Sequence, residues 1–425
     1  MKDETKTLLS CIIQVTPFDS IYEELDHELF LSKNLYNTCV YIIRQLIFKK
    51  RDCTDPVLKS SMKGYMTGFE LSKMLQDEDN VDYRALPAAA AQQVCKQVDE
   101  AFKAYFAACK EGLTPELPKY LDKVKGRNKL SFAKNGISAS KLEKGIIKLA
   151  KSDITFKLPE YIDCESVQQI DIIKTDNRTI KVIIIYAVPK VEMKKNNNRI
   201  LGIDVGVNNL MAVVSNTNDF KPIIYDGRPI KEINQFCNKY VAKYKSLSKN
   251  VITERICSIY RNRENKIDDC FHKIVNDLIN QAVSNDFSVI VIGKNKGWKQ
   301  EVKLGDQNNQ NFVCIPHNLL IKMIKYKAAL YGITVIETEE SYTSICSFFD
   351  NEFPCYHENY KGERVKRGLF KSSLGFINAD LNAALNIIRK VFPEFSCETA
   401  NLSINHFKNV LKVSPKMLCN SNHRV

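Results

Sequence analysis

Residues 201–210 read LGIDVGVNNL, between Ile200 and the apolar run MAVVS (211–215). The apolar residues to about 204, the glycine–asparagine stretch and the second apolar run predict strand, turn, strand. Asp204 sits on the first strand. A carboxylate buried at a strand centre is costly unless something pairs with it. A hard divalent cation suits its oxygens, magnesium or manganese above all. The stretch therefore raises the question of where further metal-binding acids stand.

Downstream, the pattern predicts a strand over 222–226, a long basic helical region over 231–284 and a strand SVIVIG over 288–293. A helix over 316–331, a strand ITVIET over 333–338 and a helix over 379–391 follow. This mixed β-β-β-α-β-α-β-α order predicts an α/β sheet of the ribonuclease-H type. The polar run KKNNNR (194–199) marks a domain boundary upstream of it.

Before that boundary, residues 6–16 predict a strand, and 19–50 a helix with Leu29, Leu31, Leu35, Val40, Ile43 and Leu46 on one stripe. Residues 83–110 predict a long helix entered at Pro87, with Val94, Val98, Phe102, Tyr105 and Phe106 on its apolar face. Residues 113–150 read as loop with short strands, and 152–190 as a small β-module. From about 392 the chain is polar and weakly patterned, which predicts a mobile tail.

At 425 residues the chain predicts two to three domains. Lys plus Arg exceeds Asp plus Glu by 13, which favours a polyanionic partner, nucleic acid before membrane. No run approaches the roughly 18 apolar residues of a membrane span, and MKDETKTLLSCIIQV is too acidic and too briefly apolar for a secretory signal. Fourteen cysteines include no C-x-x-C pair. Cys11, Cys95, Cys109 and Cys270 stand in apolar contexts, so buried reduced thiols and a cytoplasmic protein are expected.

A second acid opens INADLNAALNIIRK (377–390). Asp380 in a first helical turn would favour the helix dipole in any protein. Beside Asp204 in a basic chain, metal binding is the better reading. A two-metal site needs a third acid. The end of the fourth strand is its usual place, but there the chain reads VIVIGKN and Gly293 occupies the position. The next acids are Glu301, beyond GWKQ, and Glu337, Glu339 and Glu340 in VIETEESYTS. His272 and His317 read as helix-surface or packing residues. In the stretch 239–266, which includes Lys243, Lys245, Lys249, Arg255, Arg261 and Arg263, only Glu254 and Glu264 interrupt the positive series, which favours contact with phosphates. Arg364, Lys366 and Arg367 in KGERVKRGLFK (361–371) add charge near the proposed site. Core packing is the expectation for Trp298 and most tyrosines. GIDVG also occurs in the phosphate loop of actin-like sugar kinases, but the second Asp-Gly loop and the Gly-Gly adenosine motif that those need are missing.

Taken in order, GIDVGVNNL, VIVIGKNKGWKQE, NNQNF, IETEESYTS and KRGLF…INADLNAALNI resemble TnpB, the transposon-encoded RNA-guided DNA endonuclease related to Fanzor and type V CRISPR effectors. LPAAAAQQVCKQVDEAFKAYF and the following PKY extend the likeness upstream. The resemblance implies a RuvC nuclease domain preceded by a β-barrel-type module with an inserted helical domain. Expected boundaries are 1–18 for the first strand of the β-module, 19–112 helical and 113–199 the rest of the β-module. RuvC would take 200–340 and 377–392, with a target-nucleic-acid-binding insertion at 341–376 and the tail at 393–425. It implies magnesium or manganese held by Asp204, Asp380 and a third acid. Glu340, two positions before Tyr342, matches a rearranged pattern in part of the family; Glu339 and Glu301 are the alternatives. Expected partners are a guide RNA encoded near the gene and double-stranded target DNA with a short flanking motif, in the bacterial cytoplasm at the nucleoid. The alternative is a nuclease-inactive RNA-guided DNA-binding protein. Many relatives carry a zinc site in the insertion; Cys346, Cys355 and His357 fall short of four ligands. A metal-free insertion packed by Phe348, Phe349 and Tyr356 is expected instead.

Overall fold

The computed structural model describes residues 5–150, 152–176, 178–294 and 315–418, and the chain divides into two units between Lys190 and Val191. Glu301, Trp298 and the NNQNF motif lie outside the described residues.

In the first unit, β1 (Lys6–Val15) leads into α1 (Tyr22–Asp52). The short helices α2 (Pro56–Ser61), α3 (Gly68–Asp77) and α4 (Val81–Arg84) follow, then the long α5 (Ala88–Lys110). Leu29, Leu35, Val40 and Ile43 of α1 and Val94, Val98 and Phe102 of α5 are fully buried, as their helical spacing requires. The chain continues through β2 (Leu130–Ala133), α6 (Ala139–Leu142), β3 (Ile146–Lys148), β4 (Thr155–Lys157), β5 (Val167–Asp176) and β6 (Thr179–Pro189). The antiparallel sheet runs β1-β6-β5-β2, so the helices are inserted between two of its strands. Ile180, Val182, Ile184 and Tyr186 of β6 face the core with the period of two that a half-buried strand needs. Asp26 on α1 ties the helix to the sheet through Arg127 at 2.7 Å and Lys174 at 2.6 Å.

The second unit is built on a six-stranded sheet. Its elements are β7 (Ile200–Val205), β8 (Asn209–Ser215), β9 (Ile223–Asp226), α7 (Arg228–Leu247), α8 (Glu254–Ser284) and β10 (Val289–Gly293). Then come α9 (His317–Ala329), β11 (Thr334–Thr338), β12 (Glu363–Lys366), β13 (Leu369–Ser372), β14 (Gly375–Asn378), α10 (Ala379–Val391) and β15 (Leu411–Val413). The strand order is β11-β10-β7-β8-β9-β15, with β8 the antiparallel member. This is the ribonuclease-H arrangement expected from the element order. Leu201, Ile203 and Val205 pack with α8 and α9 on one face, while Ile200, Ala212 and Val214 pack with α10 on the other. Gly202 makes that second packing possible: a Cβ there would lie 2.5 Å from the Ala384 carbonyl oxygen.

Four expectations change. The basic region over 231–284 is two helices, because Lys249 and Asn250 adopt positive φ and Thr253 caps α8 through the Ile256 amide at 3.4 Å. The expected mobile tail is ordered structure to residue 418. Phe395, Leu402, Ile404 and Phe407 are buried against α10, and β15 pairs parallel with β9. Its few apolar residues are enough because they fall on a face already formed. Among the described cysteines, all free, Cys95 is buried but Cys11 and Cys270 are half-buried and Cys109 is exposed near the end of α5. In the insertion, Phe348 and Phe349 are buried, whereas Tyr356 is exposed. Carboxylates hold that segment: buried Glu352 accepts from the Ser347 amide at 2.7 Å and the Lys361 amide at 2.6 Å. Asp350 accepts from the Ser347 hydroxyl at 2.5 Å and from Ser373.

Candidate active site

β7 alternates, so Asp204 points to the same face as Gly202, the face covered by α10. Asp380 enters from the first turn of α10. Asn378 caps that helix, its side-chain oxygen accepting from the Asp380 amide at 2.9 Å and the Leu381 amide at 3.3 Å. The Asp380 carboxylate accepts from Asn209 Nδ2 at 2.7 Å. Asn209 thus links the turn after Asp204 to the helix carrying the second acid.

The third carboxylate comes from beyond β11. β10 ends at Gly293, and a Cβ there would meet Glu340 Cγ and Oε1 at 2.6 Å each. The glutamate side chain fills the space over the glycine, where an acid on that strand would otherwise project. Glu339, its neighbour, is 69% exposed and lies 3.9 Å from Lys390. Glu337 is engaged by Lys325 at 2.7 Å and Lys294 at 3.0 Å. Of the three glutamates, only Glu340 turns inward.

The loop behind Glu340 is held by α10. Asn386 donates to the carbonyls of Thr343 at 3.0 Å and Cys346 at 2.7 Å. Asn382 donates to Cys346 at 2.8 Å and accepts from the Phe348 amide at 3.1 Å. Lys390, one turn on, reaches Ser341 Oγ at 3.2 Å.

Electrostatics tie the three acids together. Burial pushes the Asp204 carboxyl well above the usual range; the charges of Glu340 and Asp380 push it further, and Arg364 opposes them. Burial raises Glu340 to about 7 against the pull of Lys390. Arg364, read from sequence as added positive charge near the proposed site, lies 3.8 Å from Asp380. Among the described residues no three acidic, imidazole or thiol groups close on one point as a finished cage. The donor set is nonetheless all oxygen and self-repelling, the condition a hard divalent cation relieves.

His272 is exposed on α8, whereas His317 is buried with Nε2 3.0 Å from the Gly206 carbonyl. That contact requires the proton on Nε2 and braces the turn after Asp204. Lys243, Lys249, Arg255, Lys366 and Arg367 are exposed; Lys245, Arg261 and Arg263 are half-buried. Arg255 lies over the Tyr244 ring at 5.7 Å, and Arg263 donates to Asn234 at 2.6 Å. Sequence reasoning missed the supporting roles of Asn209, His317, Asn382 and Asn386. The one available signal was the spacing of four that puts Asn378, Asn382 and Asn386 on one helical face.

The family OrfB_IS605, described as a probable transposase, matches residues 183–299, and the Cas12f1-like TNB domain matches residues 317–387. A CRISPR-associated endodeoxyribonuclease Cas12f2 from Micrarchaeota archaeon (strain CG1_02_47_40) is 29% identical over 217 residues, 47% of this chain. The match spans 38% of that relative's length. The protein in a cryo-EM structure of a Cas12f1–sgRNA–target DNA complex shares the fold with a TM-score of 0.53 and 16% identity, over 87% of this chain and 82% of that one.

Proposed function

We propose that this chain, which is TnpB-like and Cas12-related, is an RNA-guided DNA endonuclease that hydrolyses phosphodiester bonds with Asp204, Glu340 and Asp380. The observation that carries this reading is the Glu340 side chain over Gly293, on the side of the sheet where Asp204 and Asp380 meet. Oxygen donors on three separate elements fit magnesium or manganese. When bound, two such ions supply an activated water and stabilise the leaving oxygen. The chain's own residues set the geometry for this. Asn209 orients Asp380, the α10 asparagines hold the Glu340 loop, and His317 braces the Gly206 turn. Arg364 offsets part of the negative charge and lies where a scissile phosphate would approach. Lys366 and Arg367 extend that positive approach.

The sequence of the target would be read by pairing with a guide RNA encoded near the gene, after recognition of a short flanking motif in the duplex. No helix among the described residues is long and apolar enough to cross a membrane; a cytoplasmic site of action is part of the same proposal. The test is to purify the protein with RNA from its own locus and offer matched DNA. Cutting is expected in magnesium and not in EDTA. Asp204→Ala should abolish cutting while RNA remains bound. Sequence-matched binding without cutting by the unaltered complex would favour the reading as a nuclease-inactive RNA-guided DNA-binding protein. Robust cutting by Glu340→Gln would remove Glu340 from the site.

A further inference from the structure

Helices α7 and α8 pack as a hairpin around Cys237, Val241 and Ile256. Beside that contact runs a groove of about 840 Å³, continued by Pro415 and Lys416. Two properties set it apart. Its lining includes Phe236, 56% exposed, with its ring 4.3 Å from that of Tyr240 and tilted by 35°. Stacked aromatic surface left in water is unfavourable. The walls carry five cations, Arg255, Arg263, Lys266, Lys273 and Lys416, against two acids. Both acids are matched within the wall, Glu232 by Lys416 at 3.4 Å and Asp269 by Lys273 at 2.7 Å. The remaining field is positive.

The topology starts this groove at the sheet edge that carries the carboxylates, on the face opposite Asp204. β7, β9, β10 and β15 run in one direction, so α7 and Pro415 leave the sheet at the edge where Asp204 and Gly293 lie. The Gly227 amide donates to the Asn208 carbonyl at 2.8 Å, and Lys231 reaches Asn208 Oδ1 at 3.3 Å. The start of α7, where Pro229 lines the groove, is therefore pinned to the turn that follows Asp204. From Pro229 to Tyr244 the helix rises roughly 22 Å, room for a few stacked nucleotides.

We infer that this groove receives single-stranded DNA running over the sheet edge to the carboxylates, with Phe236 and Tyr240 stacking on bases and Arg255 and Lys266 contacting phosphates. DNA is the occupant because the groove opens at the edge of the proposed DNA-cutting site; the inference rests on that reading.

The test uses the full-length chain and a fluorescein-labelled 12-nucleotide oligothymidylate, followed by anisotropy. Phe236→Leu keeps apolar bulk and loses the ring; it should weaken binding about tenfold or more, since stacking is worth ~1–3 kcal/mol per base. Phe236→Trp should retain binding. Lys266→Glu should weaken it and reduce its salt dependence. Equal affinity of Phe236→Leu and wild type overturns the inference. So does tighter, ring-dependent binding of oligouridylate, which would assign the groove to RNA. A wild-type protein that never cuts but binds oligothymidylate in a ring-dependent way keeps the groove and removes the nuclease reading.

Discussion

At the scale of single residues, two positions 47 apart share one space. Gly293 has no side chain, and Glu340 uses the room this leaves. Each residue therefore constrains the other. Gly293→Asp alone should lower cutting about tenfold or more, because the new side chain collides with Glu340. Glu340→Ala should lower it by on the order of a thousandfold, the loss of several kcal/mol of charge stabilisation. Combining the two should recover at least about a tenth of what Glu340→Ala loses, measured as single-turnover cutting. The raised pKa of Glu340 has a second consequence. Its carboxyl holds a proton in the folded chain up to about pH 7, above the ordinary 4.5. Its contribution to stability is complete below about 4.5 and fades as pH rises through 7. Without divalent ions, the wild-type melting temperature should fall over that interval, and Glu340→Gln should flatten the decline.

At the scale of elements, α10 organises the candidate site. Its N-terminus presents Asp380, its asparagines fix the loop of Glu340, and its apolar face covers β7 at Gly202. Asn386→Leu removes the side-chain donor to the Thr343 carbonyl and leaves the Cys346 carbonyl with Asn382 alone. The expected cost is ~1–3 kcal/mol, seen in thermal melts, with a fall in cutting larger than the stability loss explains. The helix was legible in sequence because its apolar residues repeat with helical period. The role of its asparagines was not, because the carbonyls they meet come from Thr343 and Cys346, over thirty positions away. The insertion shows the same limit. Its few cysteines and histidine drew attention in sequence, while Glu352 and Asp350, whose partners are backbone amides and hydroxyls, carry no motif.

At the scale of the whole molecule, the segment after residue 392 belongs to the second unit. Phe395, Leu402 and Phe407 are buried, and β15 adds a strand beside β9. Full burial of such a side chain is worth roughly 1.5–3 kcal/mol. Truncation after residue 392 should therefore lower the melting temperature substantially and expose apolar surface to a dye such as ANS; an unchanged melt would refute the packing. The excess of 13 positive charges acts at this scale too. Nucleic-acid affinity should fall linearly in a plot of log affinity against log salt.

The sequence by itself determined the order of elements, the ribonuclease-H class, and Asp204 and Asp380 as acids at a strand and a helix start. Apolar period, turn residues and local acids are properties of neighbouring positions, and neighbours are what a sequence displays. The resemblance favoured Glu340 over Glu339 and Glu301, and the tertiary structure showed that it is the one of the three neighbouring glutamates that turns inward. Glu337, Glu339 and Glu340 are nearly equivalent along the chain. They differ because Lys294 and Lys325 engage the first, Lys390 and solvent meet the second, and the vacancy at Gly293 admits the third.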